Sequence, residues 1–154
     1  MQPSVDAFLE NRREFLELGK AAIAATLIPF ESEGAFRRLY NNKYLKDMNW
    51  YEYLFKQIGS TLDEYNKSQL SIITFNYDRS FEQFFFRALK SSFNLQDDDC
   101  LTYLNKIPVI HVHGKLGELG YVVSAGRHYN SQINSDITNK YSNSRFEFPA
   151  LARG

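Results

Sequence analysis

The sequence predicts an α/β domain, a small parallel sheet flanked by helices, and three observations carry that prediction. Leu70, Ile72, Ile73 and Phe75 form a short run rich in β-branched and aromatic residues, suited to a strand buried on both faces of a parallel sheet. Asn76, Tyr77 and Asp78 break the run, and Phe81, Phe85, Ala88 and Leu89 follow at helical spacing, with Asp78 as the natural N-cap of that helix. Ile107, Val109, Ile110 and Val112 then repeat the strand pattern, with Pro108 near its start and Gly114 at the break after His113.

The remaining elements follow in chain order. Ser4 can cap a helix running to about Leu27, in which Val5, Phe8, Leu9, Phe15, Leu18 and Ala22 recur at three, four and seven residue steps and Asn11, Arg12, Arg13 and Glu14 face water. Pro29 ends it. Phe36 to Tyr40 reads as a short helix, whose Arg37-Arg38 pair is read as a solvated face. Trp50, Tyr51, Leu54, Phe55, Ile58, Leu62 and Tyr65 give the strongest helical pattern, a single helix from about Asp47 to Tyr65 despite Gly59, with the aromatic stripe turned to the core. Asp97, Asp98 and Asp99 cap a short helix containing Leu101 and Leu104; their adjacency lacks the alternating oxygen ligands of a calcium loop. Tyr121 to Val123 reads as a strand, residues 130–145 as a polar loop or arm rich in Asn and Ser, and residues 146–154 as a C-terminal tail.

Composition narrows the class. The 154 residues make one domain, 1–154, and a 16% aromatic content with ten Tyr and thirteen Phe supplies a substantial core. Eighteen basic residues balance eighteen acidic ones, which removes the bulk attraction used by general nucleic-acid binders and membrane-surface proteins. No apolar stretch approaches the ~20 residues that span a bilayer, and the charged N-terminus is unlike a signal peptide, so a cytoplasmic location is expected. The single Cys100 excludes an internal disulfide and a four-cysteine zinc module. Its acidic neighbours raise a thiol's pKa, and no Gly-x-Ser-x-Gly elbow is present, so nucleophilic catalysis is disfavoured.

What remains is polar chemistry at strand ends. Asn76 and Asp78 follow one strand and His113 follows the other; if the strands are parallel neighbours, the three converge on the crevice where open α/β sheets bind ligands. His113 brings an imidazole, the side chain best suited to act as a base without large perturbation. His111, two residues earlier and on the same face, reads as a core histidine satisfied by backbone, since no third metal ligand is evident and no metal is expected.

Thr74-Phe75-Asn76-Tyr77-Asp78, the acidic Glu82, and an apolar strand closed by His111-Val112-His113-Gly114 resemble the sirtuin-like NAD-binding domains. The likeness is to the bacterial sirtuin-like proteins in particular, many of which hydrolyse NAD in defence against phage. Their pattern is a hydrophobic strand, Thr-x-Asn-x-Asp, a Glu soon after, and a strand ending in His-x-His-Gly. Ser4 to Ala25 also looks like the helix these proteins carry after their glycine-rich loop.

The resemblance implies a Rossmann-like three-layer fold and hydrolysis of NAD, as substrate, to ADP-ribose and nicotinamide. It implies that Asn76 orders the attacking water and the nicotinamide ribose, that His113 contacts the ribose hydroxyls as base, and that Thr74, Asp78 and Gly114 complete the NAD-binding set. Cleavage through an oxocarbenium-like state asks for little more than a held ribose, a placed water and a base. Family members open with a strand and a Gly-x-Gly loop, whereas only Met-Gln-Pro precedes Ser4 here. The fold is therefore expected to be incomplete at the N-terminus, through truncation or degeneration. The alternative is a catalytically inactive sirtuin-like module that binds a nucleotide, a protein partner or a second copy; protein deacylation is weakened by the missing zinc cysteines.

Overall fold

The computed structural model describes residues 4–34, 49–122 and 126–130. Among the described residues the chain is a mixed α/β structure, mostly helical, with one two-stranded parallel sheet. The expected helix at residues 36–40 with its Arg37-Arg38 pair, the loop beyond Asn130 and the tail at 146–154 lie outside the described residues.

The N-terminal segment is two helices where the periodicity predicts one. Ser4 caps the first, α1 (Val5–Asn11), its Oγ accepting from the Ala7 amide at 3.2 Å. Arg12 leaves helical geometry (φ −123°, ψ 68°), a 3-10 turn spans Arg13–Phe15, and α2 runs over Leu16–Leu27. The Arg12 guanidinium pairs with Glu14 and lies 5.2 Å from the centre of the Phe15 ring, which holds the corner. Doubling back sets Leu9 against Gly19, where a Cβ would stand 2.4 Å from a Leu9 methyl. Of the predicted apolar stripe only Leu9 is buried. Val5, Phe8, Phe15 and Leu18 remain exposed along an open groove of about 490 Å³.

The second predicted long helix is also two, α3 (Trp50–Ile58) and α4 (Leu62–Lys67). Gly59 breaks it at φ +149°, and Thr61 starts α4 with a capping box: its Oγ accepts from the Glu64 amide while Glu64 Oε2 accepts from the amides of Thr61 and Ser60. Strand β1 (Ile72–Thr74) leads through a turn into α5 (Ser80–Phe93), which stops at Asn94 in the left-handed region (φ 52°). Then α6 (Asp97–Leu104) carries its three aspartates in the first turn, with Gln96 rather than an aspartate at the cap position. Strand β2 (Val109–His111) closes the unit.

The strands pair in parallel, Ile72 with Val109, Ile73 with Ile110 and Thr74 with His111. Ile72 and Val109 point into a core built on α5, whose Phe81, Phe84, Phe85 and Leu89 form a buried stripe, with Tyr65, Cys100, Leu104 and Ile107 around them. Phe81 stacks on Phe85 at 4.2 Å. The expectation of a strand buried on both faces is corrected here: Ile73 and Phe75 are each 67% exposed and Ile110 50%. Helices cover one face only among the described residues. Tyr121 and Val122 lie in a turn rather than a strand, and Val123 is outside the described residues.

Candidate functional site

Parallel pairing brings the carboxyl ends of β1 and β2 to one edge, because adjacent strands that run the same way end on the same side of the sheet. Two residues past the Thr74–His111 pair stand Asn76, after one strand, and His113, after the other. The Asn76 side chain is exposed, and His113 is half-buried between the rings of Phe75 at 5.7 Å and Tyr77 at 6.4 Å.

The turn that carries Asn76 is tied at several points. Thr74 Oγ1 accepts from the Asn76 amide at 3.1 Å, and the Asn76 carbonyl accepts from His111 Nδ1 at 2.7 Å. The Tyr77 carbonyl accepts from the Leu116 amide at 2.9 Å, and the Tyr77 hydroxyl donates to Asp6 on α1; burial, and then that bond and the Asp6 charge, raise the phenol's pKa. Asp78 Oδ1 accepts from the Ser80 amide at 3.0 Å and from the Ser80 hydroxyl. Asp78 thus caps the start of α5 from one position outside the expected cap, which Arg79 occupies. Tyr51 donates in turn to Ser80 Oγ at 2.6 Å. Gly114, at φ +94°, returns its amide to the His111 carbonyl in the turn after His113. Thr74 therefore ends β1 at this edge, and Asn76, Asp78, His113 and Gly114 lie on the two turns beyond it.

Beneath the edge, His111 is buried, with Nε2 2.9 Å from Glu82 Oε1 on α5. Burial alone depresses the imidazolium, but the Glu82 hydrogen bond and charge and the Asn76 carbonyl outweigh it, so the pKa of His111 lies above the ordinary histidine value. A second buried cluster was illegible in the sequence. Glu31 accepts from the Arg79 amide, Nε and Nη2 and from Arg127, while Arg79 Nη1 donates to the carbonyls of Glu118 and Arg127. These partners are separated by 48 and 96 residues, so no local pattern reveals them.

Cys100 is buried, and burial followed by the charge of Asp97 pushes its thiol up, which leaves little thiolate at neutral pH. Among the described residues no three His, Cys, Asp or Glu side chains are arranged to hold a metal ion. No helix among the described residues is long and apolar enough to cross a membrane. No family model, curated protein or solved structure matches this chain.

Proposed function

We propose that the chain is a sirtuin-like domain with a Rossmann-like parallel sheet, and that it hydrolyses NAD to ADP-ribose and nicotinamide at the edge formed by the turns after β1 and β2. The observation that carries the reading is the parallel register, Thr74 opposite His111, which puts an exposed amide and a half-buried imidazole at one sheet edge. In this mechanism the Asn76 amide holds the attacking water and a ribose hydroxyl. Its two donors and one acceptor suit both at once. His113 takes the proton as the water adds to the oxocarbenium-like carbon, and nicotinamide leaves with the bonding electrons of the C–N bond. The aromatic walls of Phe75 and Tyr77 around His113 suit a flat ring and exclude water from one side.

The test is incubation of the purified chain with NAD, with nicotinamide and ADP-ribose read by chromatography. Release is expected, with losses of about 10²–10⁴-fold in Asn76→Ala and in His113→Ala at unchanged melting temperature. An inert wild-type protein whose melting temperature ignores NAD overturns the reading. A second reading, a non-catalytic association module, is favoured by the bare sheet face at Ile73, Phe75 and Ile110, and it takes the first one's place on that result.

A further inference from the structure

We propose that His111 is a positioning residue: as an imidazolium held by Glu82 it clamps the main-chain carbonyl of Asn76, and loss of its proton loosens the turn that presents the Asn76 side chain. The catalytic consequence rests on the hydrolase reading above; the clamp itself does not.

The geometry fixes the proton count. Nδ1 faces a carbonyl, which can only accept, and Nε2 faces a carboxylate, which when ionised can only accept. A neutral imidazole carries one N–H, so one of its nitrogens would then turn a lone pair on an oxygen. Both contacts hold together only if both nitrogens are protonated or if Glu82 keeps a proton of its own. A free carboxylic acid loses its proton about two pH units before an imidazolium does, which favours the ion pair.

The surroundings agree. The His111 side chain is 4% exposed and that of Glu82 13%. Glu82 Oε2 is buried with no hydrogen-bond partner among the described residues. Arg79 lines the same small cavity as Glu82, but its guanidinium is engaged by Glu31 and by two carbonyls. His111 is therefore the cation that compensates the buried carboxylate. The other groups that act on this pair are Lys115, after β2, whose charge opposes protonation of His111, and the hydroxyls of Tyr121 and of Tyr51 on α3, whose ionisation burial and the Glu82 charge disfavour. Both phenols therefore keep their protons near neutral pH.

The clamp links three elements. It joins the last residue of β2 to α5 and to the turn after β1, so the position of Asn76 relative to His113 depends on one proton. Because the pKa of His111 is raised on folding, its contribution to stability is complete below the unfolded value of about 6.5 and is lost as pH rises through the higher folded value.

The experiment is a pH titration of the chain labelled with ¹⁵N, read at the imidazole nitrogens of its three histidines and at the backbone amide of Tyr77, which follows the clamped carbonyl. In wild type the His111 ring is expected to be doubly protonated at pH 7 and to titrate above the ordinary value, with the Tyr77 amide moving at the same midpoint. In Glu82→Gln the new amide can donate to a neutral Nε2, so the ring is expected to be singly protonated at pH 7 and the Tyr77 amide to stop responding. A wild-type His111 that is neutral at pH 7, or a midpoint that Glu82→Gln leaves in place, overturns the clamp. Where NAD turnover is present, the wild-type rate falls on the alkaline side with the His111 midpoint and Glu82→Gln flattens that limb. His111→Gln lowers the rate by about 10²-fold, as expected for a displaced reacting group. Absence of turnover in every variant removes the hydrolase reading and leaves the clamp to be decided by the titration alone.

Discussion

Glu31 faces two guanidinium groups in a space nearly closed to water: it is 2% exposed, Arg79 1% and Arg127 5%. Three charges removed from solvent are tolerated because each has several partners, and the two carbonyls on Arg79 Nη1 share the excess positive charge. Breaking such a set is far worse than never having built it, since the survivors keep their desolvation penalty and lose the compensation. Glu31→Gln leaves two buried cations facing a neutral amide and is expected to cost about 3–5 kcal/mol. With a urea slope of about 2 kcal/mol per M, the unfolding midpoint falls by about 2 M. A midpoint within about 0.3 M of wild type would show that the guanidiniums find water, and that the cluster holds no structural role.

At the scale of elements, the helical stripe on α5 and the Ser4 cap were the most legible, whereas the caps expected at Asp78 and at Asp97 to Asp99 fall to Arg79 and Gln96. Phe81, Phe85 and Leu89 are buried as their spacing predicts, and Ser4 caps α1. The two long helices failed for one shared reason: apolar periodicity continues across a corner when both flanking helices need an apolar face. Gly59 and the Thr61-x-x-Glu64 pattern contained the correction, because a residue at φ +149° followed by a capping box ends one helix and starts the next. Gly59→Ala is expected to lower stability by more than about 1 kcal/mol, since its Cβ would stand 2.5 Å from Glu64 Cβ and an L side chain resists that φ. A melting temperature equal to wild type in that variant would mean that the corner can re-form with another geometry. At the site, the two turns could be read from their break residues. The His111–Glu82 contact could not be, because it joins a strand to a helix 29 residues away and no local pattern pairs them.

On the scale of the whole molecule, the sheet divides the described residues into an insulated side and a bare one. Ile72 and Val109 pack toward α5, while Ile73 and Ile110, their neighbours along the same strands, look outward. A continuous β-branched run cannot distinguish these faces, because it reads as buried on both. Adjacent isoleucines on one strand make the contrast measurable with identical chemistry. Ile72→Ala removes methyl groups from the packed side and is expected to cost about 2 kcal/mol or more. Ile73→Ala loses only strand preference, about 1 kcal/mol or less. Denaturant unfolding of both variants, each at two protein concentrations a hundredfold apart, checks this asymmetry. Equal losses at both concentrations would mean that another part of the chain covers Ile73, and a loss at Ile73 that grows with concentration would mean that a second copy does. A difference of a kilocalorie or more, independent of concentration, leaves the outer face open in the monomer, and a parallel sheet with an uncovered apolar face is then a stable state of this chain.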